Sequence, residues 1–214
     1  MRATPLFIAA TGAANLASVR AMCDRADVEA VVTDDPELLY RAEKALLPGV
    51  GAFGAAMAAL RSKSLDVALA ARISEGLPTM GICLGMQMFC VSSEETPGVP
   101  GVGAIACDVG RFTTSLPLPQ LGWNRVEPAE GDGFVRPGWA YFANSYRIVG
   151  APEGYISARS LYGEEFAATI EGGIDTATGV PAILLCQFHP ELSGPWGLDL
   201  FVRWMGLDGK EGQQ

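Results

Sequence analysis

A cysteine flanked by glycines is the first residue in this sequence with clear chemical potential. Cys83 lies in the segment Gly81-Ile82-Cys83-Leu84-Gly85, between an apolar run and a segment of helical character. A nucleophile on a sharp strand-to-helix turn has a strained backbone and needs small neighbours, which the two glycines provide. The positive end of the following helix would also favour the thiolate. Because free cysteines are often buried in cores, this segment alone leaves both interpretations open.

A thiol nucleophile needs a base, and the chain contains a single histidine, His189. We expect it at the carboxyl end of the last buried strand, where an open parallel sheet places its active site. Glu191 follows two residues later, and extended spacing puts both side chains on one side. The carboxylate can then orient the imidazole and stabilise its charged form. A single histidine is more often structural, but this position and partner favour a catalytic triad with Cys83.

A glycine-rich loop lies upstream of the cysteine, in Pro48 to Gly54. Glycine lets a backbone approach a substrate closely, so this loop can donate one N–H to an anionic intermediate, and the amide of Leu84 can donate another. Taken alone the loop is a plain turn, but beside Cys83 we expect it to belong to the site. It lacks the Lys-Ser/Thr of a phosphate-binding loop, and no Gly-x-Gly-x-x-Gly motif follows a strand.

Alternating strand and helix signals must position these residues. In the first ninety residues, short apolar runs predict four strands, and segments with helical spacing separate them. Asp34-Asp35-Pro36 can cap a short helix, and residues 55–76 are expected to be helical in two pieces. Such alternation implies an α/β fold with three layers, a largely parallel central sheet and helices on both faces. After Pro97 the texture changes, and runs such as GRFTTS, WAYFANSYRIV and GYISARS predict added antiparallel strands.

Three boundaries in this scheme bear on the site. We expect a helix over Leu84–Glu95, directly after the cysteine, and a loop over Gly49–Gly54. We expect the last strand over Ala182–Glu191, breaking at His189, before a closing helix. With no repeats and no low-complexity linker, residues 1–214 are predicted to form a single domain.

Composition excludes several classes of function. The chain has 214 residues, 49% of them hydrophobic and 18% charged, which is typical of a compact soluble globule. The net charge is -9 and no basic face is visible, so nucleic-acid binding is not indicated. The five cysteines lack metal-ligand spacing, which predicts free thiols, no metal and a cytoplasmic location. The run Ala45–Leu60 is too interrupted to span a membrane, and Leu6–Ala10 fits a first strand better than a secretory signal.

Several motifs together resemble the class I (triad) glutamine amidotransferases, a family with a flavodoxin-like fold. GICLGMQ, FHPE and PGVGAFG carry this resemblance. Within the family the chain is most similar to the glutaminase subunits of imidazole glycerol phosphate synthase, and the similarity extends along nearly the whole chain. It is carried by GAANLASV, TDDPELLYRAEKALLPGVGAFGAAMAAL, PQLGWN, YFANSY and QFHPELSG.

The resemblance implies hydrolysis of L-glutamine to glutamate and ammonia without a cofactor. Cys83 would attack the side-chain amide, His189 would carry the proton, and Glu191 would orient His189. Ammonia would pass to a (β/α)8-barrel cyclase partner in a heterodimer of histidine biosynthesis, which forms imidazole glycerol phosphate and aminoimidazole carboxamide ribotide. The resemblance further implies an oxyanion hole of Val50, Gly51 and Leu84, and glutamine contacts by Gly51, Gln87, Ser145 and Tyr146.

The chain departs from the resembled pattern at four positions. Asn144 and Gln120 stand where those subunits often have histidine, Leu192 where a lysine usually follows, and Ala10 where an aspartate is often found. None belongs to the triad, but Leu192 is expected near the face that meets the partner. Two alternatives therefore stay open, a paralogous glutaminase that supplies another synthase and a non-catalytic scaffold that binds a partner.

Overall fold

The fold combines a six-stranded sheet with helices and three smaller β units. The computed structural model describes residues 4–12, 15–128 and 133–207, so residues 13 and 14 of the GAANLASV segment lie outside the described part. The strands are β1 (Leu6–Ala9), β2 (Ala30–Thr33), β3 (Lys44–Gly49), β4 (Thr79–Cys83), β5 (Ser92–Ser93), β6 (Asp108–Arg111), β7 (Gln120–Val126), β8 (Gly138–Asn144), β9 (Tyr146–Arg147), β10 (Arg159–Leu161), β11 (Glu165–Ala167), β12 (Thr169–Ile174) and β13 (Pro181–Cys186). The helices are α1 (Leu16–Arg25), α2 (Pro36–Arg41), α3 (Phe53–Arg61), α4 (Leu65–Ser74), α5 (Leu84–Met88) and α6 (Gly194–Trp204), with a 3-10 turn at Pro190–Leu192.

The central sheet has the strand order β12-β13-β4-β3-β1-β2. Its strands pair in parallel except at one edge, where β12 runs antiparallel to β13. Helical crossovers between parallel strands place helices on both faces, which agrees with the predicted α/β architecture. The smaller β units β5-β6-β9, β7-β8 and β10-β11 supply the predicted antiparallel region.

The two faces of the sheet bury separate hydrophobic clusters because side chains alternate along each strand. On β3, Leu46 packs into a cluster with Ile8 and Met80, whereas its neighbours Ala45 and Leu47 pack into the other. All five side chains are fully buried. The rigid middle of the sheet thus fixes where its carboxyl ends present the site.

Local signals explain where the first helices begin. Asp35 caps α2 by accepting hydrogen bonds from the amides of Glu37 at 2.8 Å and Leu38 at 3.2 Å, and Pro36 occupies the first helical position. The long apolar segment after the glycine loop forms two helices, α3 and α4, as the pattern predicts.

None of the helices within the described ranges has the length and apolar character needed to cross a membrane.

The helix after Cys83 is shorter than the sequence pattern predicts. It ends at Met88, not at Glu95, because a later loop takes the carbonyl groups that a longer helix would use. Val102 N–H donates to Met88 O, Gly103 N–H donates to Cys90 O, and the chain then enters β5. Long-range pairing therefore overrides the helical periodicity in this segment.

Other elements also begin or end at residues different from those predicted. The glycine loop contains only residues 50–52, because Gly49 still belongs to β3 and Phe53 already begins α3. The last strand ends at Cys186 and not at Glu191. In GYISARS only the last residues form a strand, and WAYFANSYRIV divides into β8 and β9 on either side of Ser145.

Candidate functional site

Cys83 occupies a sharp turn between β4 and α5. Its backbone has φ 53° and ψ −112°, a conformation that a residue with a side chain rarely adopts. Such strain persists only where the surrounding structure holds it, and it is concentrated at functional sites. The turn is therefore the strained elbow that the Gly-x-Cys-x-Gly pattern predicts, and Cys83 is only 7% exposed.

Gly85 is required by close contact between α5 and β3. A Cβ at this position would lie 2.0 Å from the carbonyl oxygen and 2.9 Å from the carbonyl carbon of Leu47. Both atoms belong to the backbone of a central strand and cannot move aside as a flexible side chain would. The absence of a side chain at Gly85 thus allows the elbow to sit directly on the sheet.

Replacing Gly85 with alanine is expected to lower the free energy of unfolding by at least about 3 kcal/mol, because β3 and α5 must separate. Chemical denaturation of the purified variant measures this loss. Gly150→Ala is the matched control, because a Cβ there meets no atom within 4 Å, and we expect a change within about 0.5 kcal/mol. Equal stability of the two variants would contradict the packing argument.

His189 and Glu191 form a buried pair. The imidazole Nδ1 lies 2.8 Å from the Glu191 carboxylate oxygen Oε1. Glu191 reaches it from the 3-10 turn that begins at Pro190, so the two residues do not share a continuous extended strand as their spacing predicts. The backbone of His189 is held separately, because its N–H donates to Tyr141 O at 2.9 Å and its carbonyl accepts from Ser193 Oγ at 2.6 Å.

The environment of His189 favours its charged form. Burial by itself lowers the pKa of His189, but hydrogen bonds to Cys83 and Glu191 and the charges of both groups outweigh burial and raise the pKa to about 10. Since Nδ1 faces Glu191, Nε2 is the nitrogen left for Cys83. The structure thus brings the three predicted triad residues together, with His189 between Cys83 and Glu191.

A fourth polar residue, Gln187, approaches the sulfur. Its Nε2 lies 3.8 Å from Cys83 Sγ, and its Oε1 accepts a hydrogen bond from Gln87 Nε2 at 2.8 Å. Gln187 is completely buried. The sequence interpretation missed this residue, although Gln187 precedes His189 by two positions and extended spacing would have placed both side chains on one side.

The pocket at Cys83 has a volume of about 290 Å³, at the small end of the range for ligand sites. The predicted residues of the oxyanion hole and of the glutamine contacts all line it, with Asn144 among their neighbours. These residues are Val50, Gly51, Leu84, Gln87, Ser145 and Tyr146. Gly51 has φ +91°, which explains why this loop position is a glycine.

The orientation of the Gln87 amide is fixed by its neighbours. Its Nε2 donates to the carbonyl oxygen of Tyr146 at 3.1 Å and to Gln187 Oε1 at 2.8 Å. Because a backbone carbonyl can only accept, the nitrogen must face Tyr146, and both of its hydrogens are then used. The polar atom that Gln87 keeps for a ligand is therefore its carbonyl oxygen.

The departures from the resembled pattern lie in different surroundings. Gln120 and Asn144 are partners in the β7–β8 register and are both buried. Asn144 Nδ2 donates to Tyr146 O at 3.0 Å, whereas neither amide atom of Gln120 has a hydrogen-bond partner among the described residues. Leu192 is 38% exposed. Of these three residues, only Leu192 is exposed enough to contact another molecule. Asn144 instead holds the backbone carbonyl of Tyr146 at the pocket.

Comparisons with known proteins identify the family to which this chain belongs. The family model for glutamine amidotransferase class-I matches residues 17–201. The imidazole glycerol phosphate synthase subunit HisH of Symbiobacterium thermophilum is 39% identical over 197 residues, covering 90% of this chain and 89% of that protein. The subunit HisH of Chlorobaculum tepidum is 38% identical over 201 residues, covering 91% of this chain and 96% of that protein.

Relatives extend to archaea and to solved structures. Subunit HisH 1 of Methanococcus maripaludis is 36% identical over 202 residues, covering 91% of this chain and 96% of that protein. A crystal structure of a glutamine amidotransferase superposes with a TM-score of 0.72 at 19% identity, covering 94% of this chain and 98% of that one, which supports the fold. The chain therefore belongs to the class I glutamine amidotransferases and, within them, to the HisH subunits of imidazole glycerol phosphate synthase.

Proposed function

We propose that the Cys83 pocket hydrolyses L-glutamine to glutamate and ammonia and that the ammonia passes to a cyclase subunit. One observation carries the proposal: the strained cysteine contacts the imidazole of His189, which a buried carboxylate holds through Nδ1. This is the arrangement of an activated nucleophile, its base and an orienting group. The HisH relatives are named as subunits of imidazole glycerol phosphate synthase, which supports a role in the same synthase.

The first half of the reaction forms a thioester. Cys83 gives its proton to Nε2 of His189, and the sulfur attacks the side-chain amide carbon of glutamine. The amide oxygen becomes an oxyanion beside the backbone of Leu84 and of the loop residues Val50 and Gly51, all of which line the pocket. His189 then gives its proton to the departing nitrogen, the carbon–nitrogen bond breaks, and ammonia leaves.

The second half releases glutamate. A water molecule loses a proton to His189 and attacks the thioester carbon, and the carbon–sulfur bond breaks. The γ-glutamyl group leaves as glutamate, and Cys83 regains a proton. Because Glu191 favours the imidazolium of His189, the proton is held at the site between the two transfers.

Gln87 and the neighbouring backbone orient the substrate. With both N–H groups of Gln87 bound to protein, its carbonyl oxygen is expected to accept a hydrogen bond from an N–H group of glutamine. Ser145 and Tyr146 line the same pocket and would hold the amino-acid end. Asn144 helps to hold Tyr146 in place, because its amide and that of Gln87 both donate to the Tyr146 carbonyl.

We assign Gln187 a role at the sulfur. Its N–H points at Cys83 and would stabilise the negative charge of the thiolate, while its carbonyl fixes the orientation of Gln87. Both functions depend on one amide that is fully buried and held at its two ends.

Gln187→Met is expected to lower kcat/KM by about 10- to 100-fold, because it keeps the volume but removes the donor to the sulfur. The rate of Cys83 alkylation at neutral pH should fall at the same time, whereas general destabilisation of β13 would expose the thiol and would not slow the reaction. Ile183→Val is the control, because it weakens packing in the same strand at a residue of the cluster that does not contain Cys83, and it should leave the alkylation rate unchanged. An unchanged alkylation rate in Gln187→Met would refute the role at the sulfur.

A partner would dock on the apolar face of β7 and β8 beside the pocket. Leu121 and Trp123 alternate along β7, and both are exposed. They pair with Ala143 and Tyr141 of β8, and Ala143 lines the pocket. Exposed large apolar side chains at the rim of an active site are typical of an interaction surface. We propose that this surface receives a (β/α)8-barrel cyclase.

The test is a glutaminase assay with the chain alone, with a matched cyclase, and with the cyclase plus its nucleotide ligand. We expect weak hydrolysis alone and strong stimulation in the complete mixture. Leu121→Asp should weaken stimulation, whereas Val67→Asp, which alters a residue 66% exposed against 69% for Leu121, should not. Glutamine hydrolysis without cyclase binding or stimulation would contradict the partner and indicate a glutaminase for a different synthase.

We also propose that residues 1–214 form a single glutamine amidotransferase domain. Leu6 of the first strand, Phe142 of the β7–β8 unit and Trp204 of the closing helix pack into one buried cluster. Halves that share a core in this way are expected to unfold together.

A further inference from the structure

Two cysteines outside the catalytic pocket lie in contact with each other. Cys90 is fully buried just after α5, and Cys107 is half-buried just before β6. Their sulfur atoms are 3.2 Å apart. Neither residue lines the catalytic pocket or takes part in the proposed hydrolysis.

We propose that Cys90 and Cys107 form a disulfide when the protein meets a small disulfide such as glutathione disulfide. A disulfide bond is about 2.05 Å long, so the sulfurs need to approach by roughly 1 Å. The bond would join the chain just after α5 to the chain just before β6.

The backbone already holds the two cysteines in this arrangement. Val91 N–H donates to Cys107 O at 2.9 Å, and Gly103 N–H donates to Cys90 O at 3.0 Å. The next residues along the chain continue into the parallel pairing of Ser92 with Asp108. Because these bonds do not involve the thiols, the cysteines stay close whether they are reduced or oxidised.

Exposure and acidity indicate which sulfur reacts first. The hydrogen bond that Cys107 shares with Cys90 lowers the pKa of Cys107, whereas the same hydrogen bond, together with burial, raises the pKa of Cys90 well above its usual value. Cys107 is also the more accessible of the two. The thiolate is the nucleophile of thiol–disulfide exchange, so Cys107 is the attacking residue.

The exchange proceeds in two balanced steps. The thiolate of Cys107 attacks one sulfur of glutathione disulfide, forms a mixed disulfide and releases one glutathione thiolate. Cys90 then loses its proton and attacks the sulfur of Cys107, which forms the protein disulfide and releases the second glutathione. The protein pair is oxidised by two electrons, and the small disulfide is reduced to two thiols.

Of the three remaining cysteines, Cys83 belongs to the catalytic pocket, and the other two are not expected to take part. Cys23 and Cys186 are fully buried, and burial raises the pKa of Cys23 to about 11 and that of Cys186 well above the usual value. The pair is not a metal site either, since no group of three or more histidine, cysteine or acidic residues in the described ranges could hold an ion.

The expected consequence is a more stable protein with an unchanged active site. A disulfide restricts the unfolded chain, and a loop of this length should raise Tm by about 5–10 °C. Because the existing backbone bonds already hold the end of α5, the cross-link should leave Cys83 reactive towards an alkylating reagent.

The test incubates the full chain with glutathione disulfide, blocks free thiols and maps the peptides without reduction. Cleavage after glutamate separates Cys90 from Cys107 at Glu94–Glu95 but leaves Cys83 with Cys90, so the mapping uses the Cys83→Ala protein. A cross-linked peptide pair and a higher Tm are expected. In the wild-type protein, which keeps Cys83, the cross-linked form should be alkylated at Cys83 at the same rate as the reduced form.

Two single variants identify the order of events. In Cys90→Ser the reaction should stop at a glutathione adduct on Cys107, and in Cys107→Ser the buried Cys90 should remain free. Tm should not rise in either variant. The proposal is overturned if the chain with both cysteines shows no cross-link, or if it retains the glutathione adduct on Cys107.

Discussion

Replacing Cys83 with alanine is expected to lower glutamine hydrolysis by at least about 10⁴-fold. In the proposed reaction the sulfur is the group that forms the thioester, and neither His189 nor Gln187 can replace it. The variant should fold, because alanine keeps the Cβ and removes only one atom from a side chain that is 7% exposed. A coupled assay for glutamate measures the loss, and thermal unfolding checks the fold.

Labelling gives an independent readout of the same residue. An electrophilic glutamine analogue should modify the wild-type chain once and should not modify Cys83→Ala. Cys90→Ala is the matched control, since it removes another buried thiol close to the same helix and should retain both activity and labelling. Hydrolysis by Cys83→Ala would show that another group is the nucleophile, and a wild-type chain that is never labelled would support a non-catalytic scaffold.

Replacing His189 with alanine is expected to cost about 10- to 100-fold more activity than replacing Glu191. His189 carries every proton of the proposed reaction, whereas Glu191 orients the ring and stabilises its charge. Comparison of kcat/KM for the two variants measures the difference. Equal losses would mean that Glu191 also holds the structure of the turn at Pro190.

The single histidine makes the same pair visible by NMR titration, because only one imidazole titrates in the chain. The wild-type midpoint should lie well above 6.5, towards a pKa of about 10. In Glu191→Gln the midpoint should fall by at least about one unit, because a neutral amide no longer favours the imidazolium. A wild-type midpoint near 6.5 would contradict the proposed pair.

The sign of the pH dependence follows from the raised pKa. The folded state binds the proton of His189 more tightly than the unfolded chain, whose histidine has a pKa of 6.5. The stabilisation is therefore complete below pH 6.5 and is lost as the pH rises through about 10. The wild type should have a higher free energy of unfolding than Glu191→Gln at low pH, and this difference should shrink as the pH rises through the same window.

The sequence predicts the alternating half of the fold well, because local signals there agree with the final packing. Apolar runs predict β1 to β4, and Asp35 with Pro36 marks the start of α2. The periodicity also predicts that the segment after the glycine loop divides into α3 and α4. In each case the residues that pack on the sheet repeat with the period of the element that forms.

Predictions fail where distant backbone segments compete for the same hydrogen bonds. The apolar residues after Cys83 favour a helix to Glu95, but the loop that contains Val102 and Gly103 binds the carbonyl groups of Met88 and Cys90. The strand before His189 ends early because the His189 N–H pairs with Tyr141 on another sheet. Such partners lie many residues away, and no local pattern specifies them.

From residue types and spacing alone one predicts the elbow at Cys83 and the pairing of His189 with Glu191, because a tight turn needs glycines and the chain offers one imidazole. Which amides surround the sulfur depends instead on how distant strands pair. Gln187 and Gln87 are a hundred residues apart, yet they share one hydrogen bond, because β13 and β4 lie side by side in the sheet. Strand pairing sets contacts of this kind, and strand pairing is a property of the whole chain.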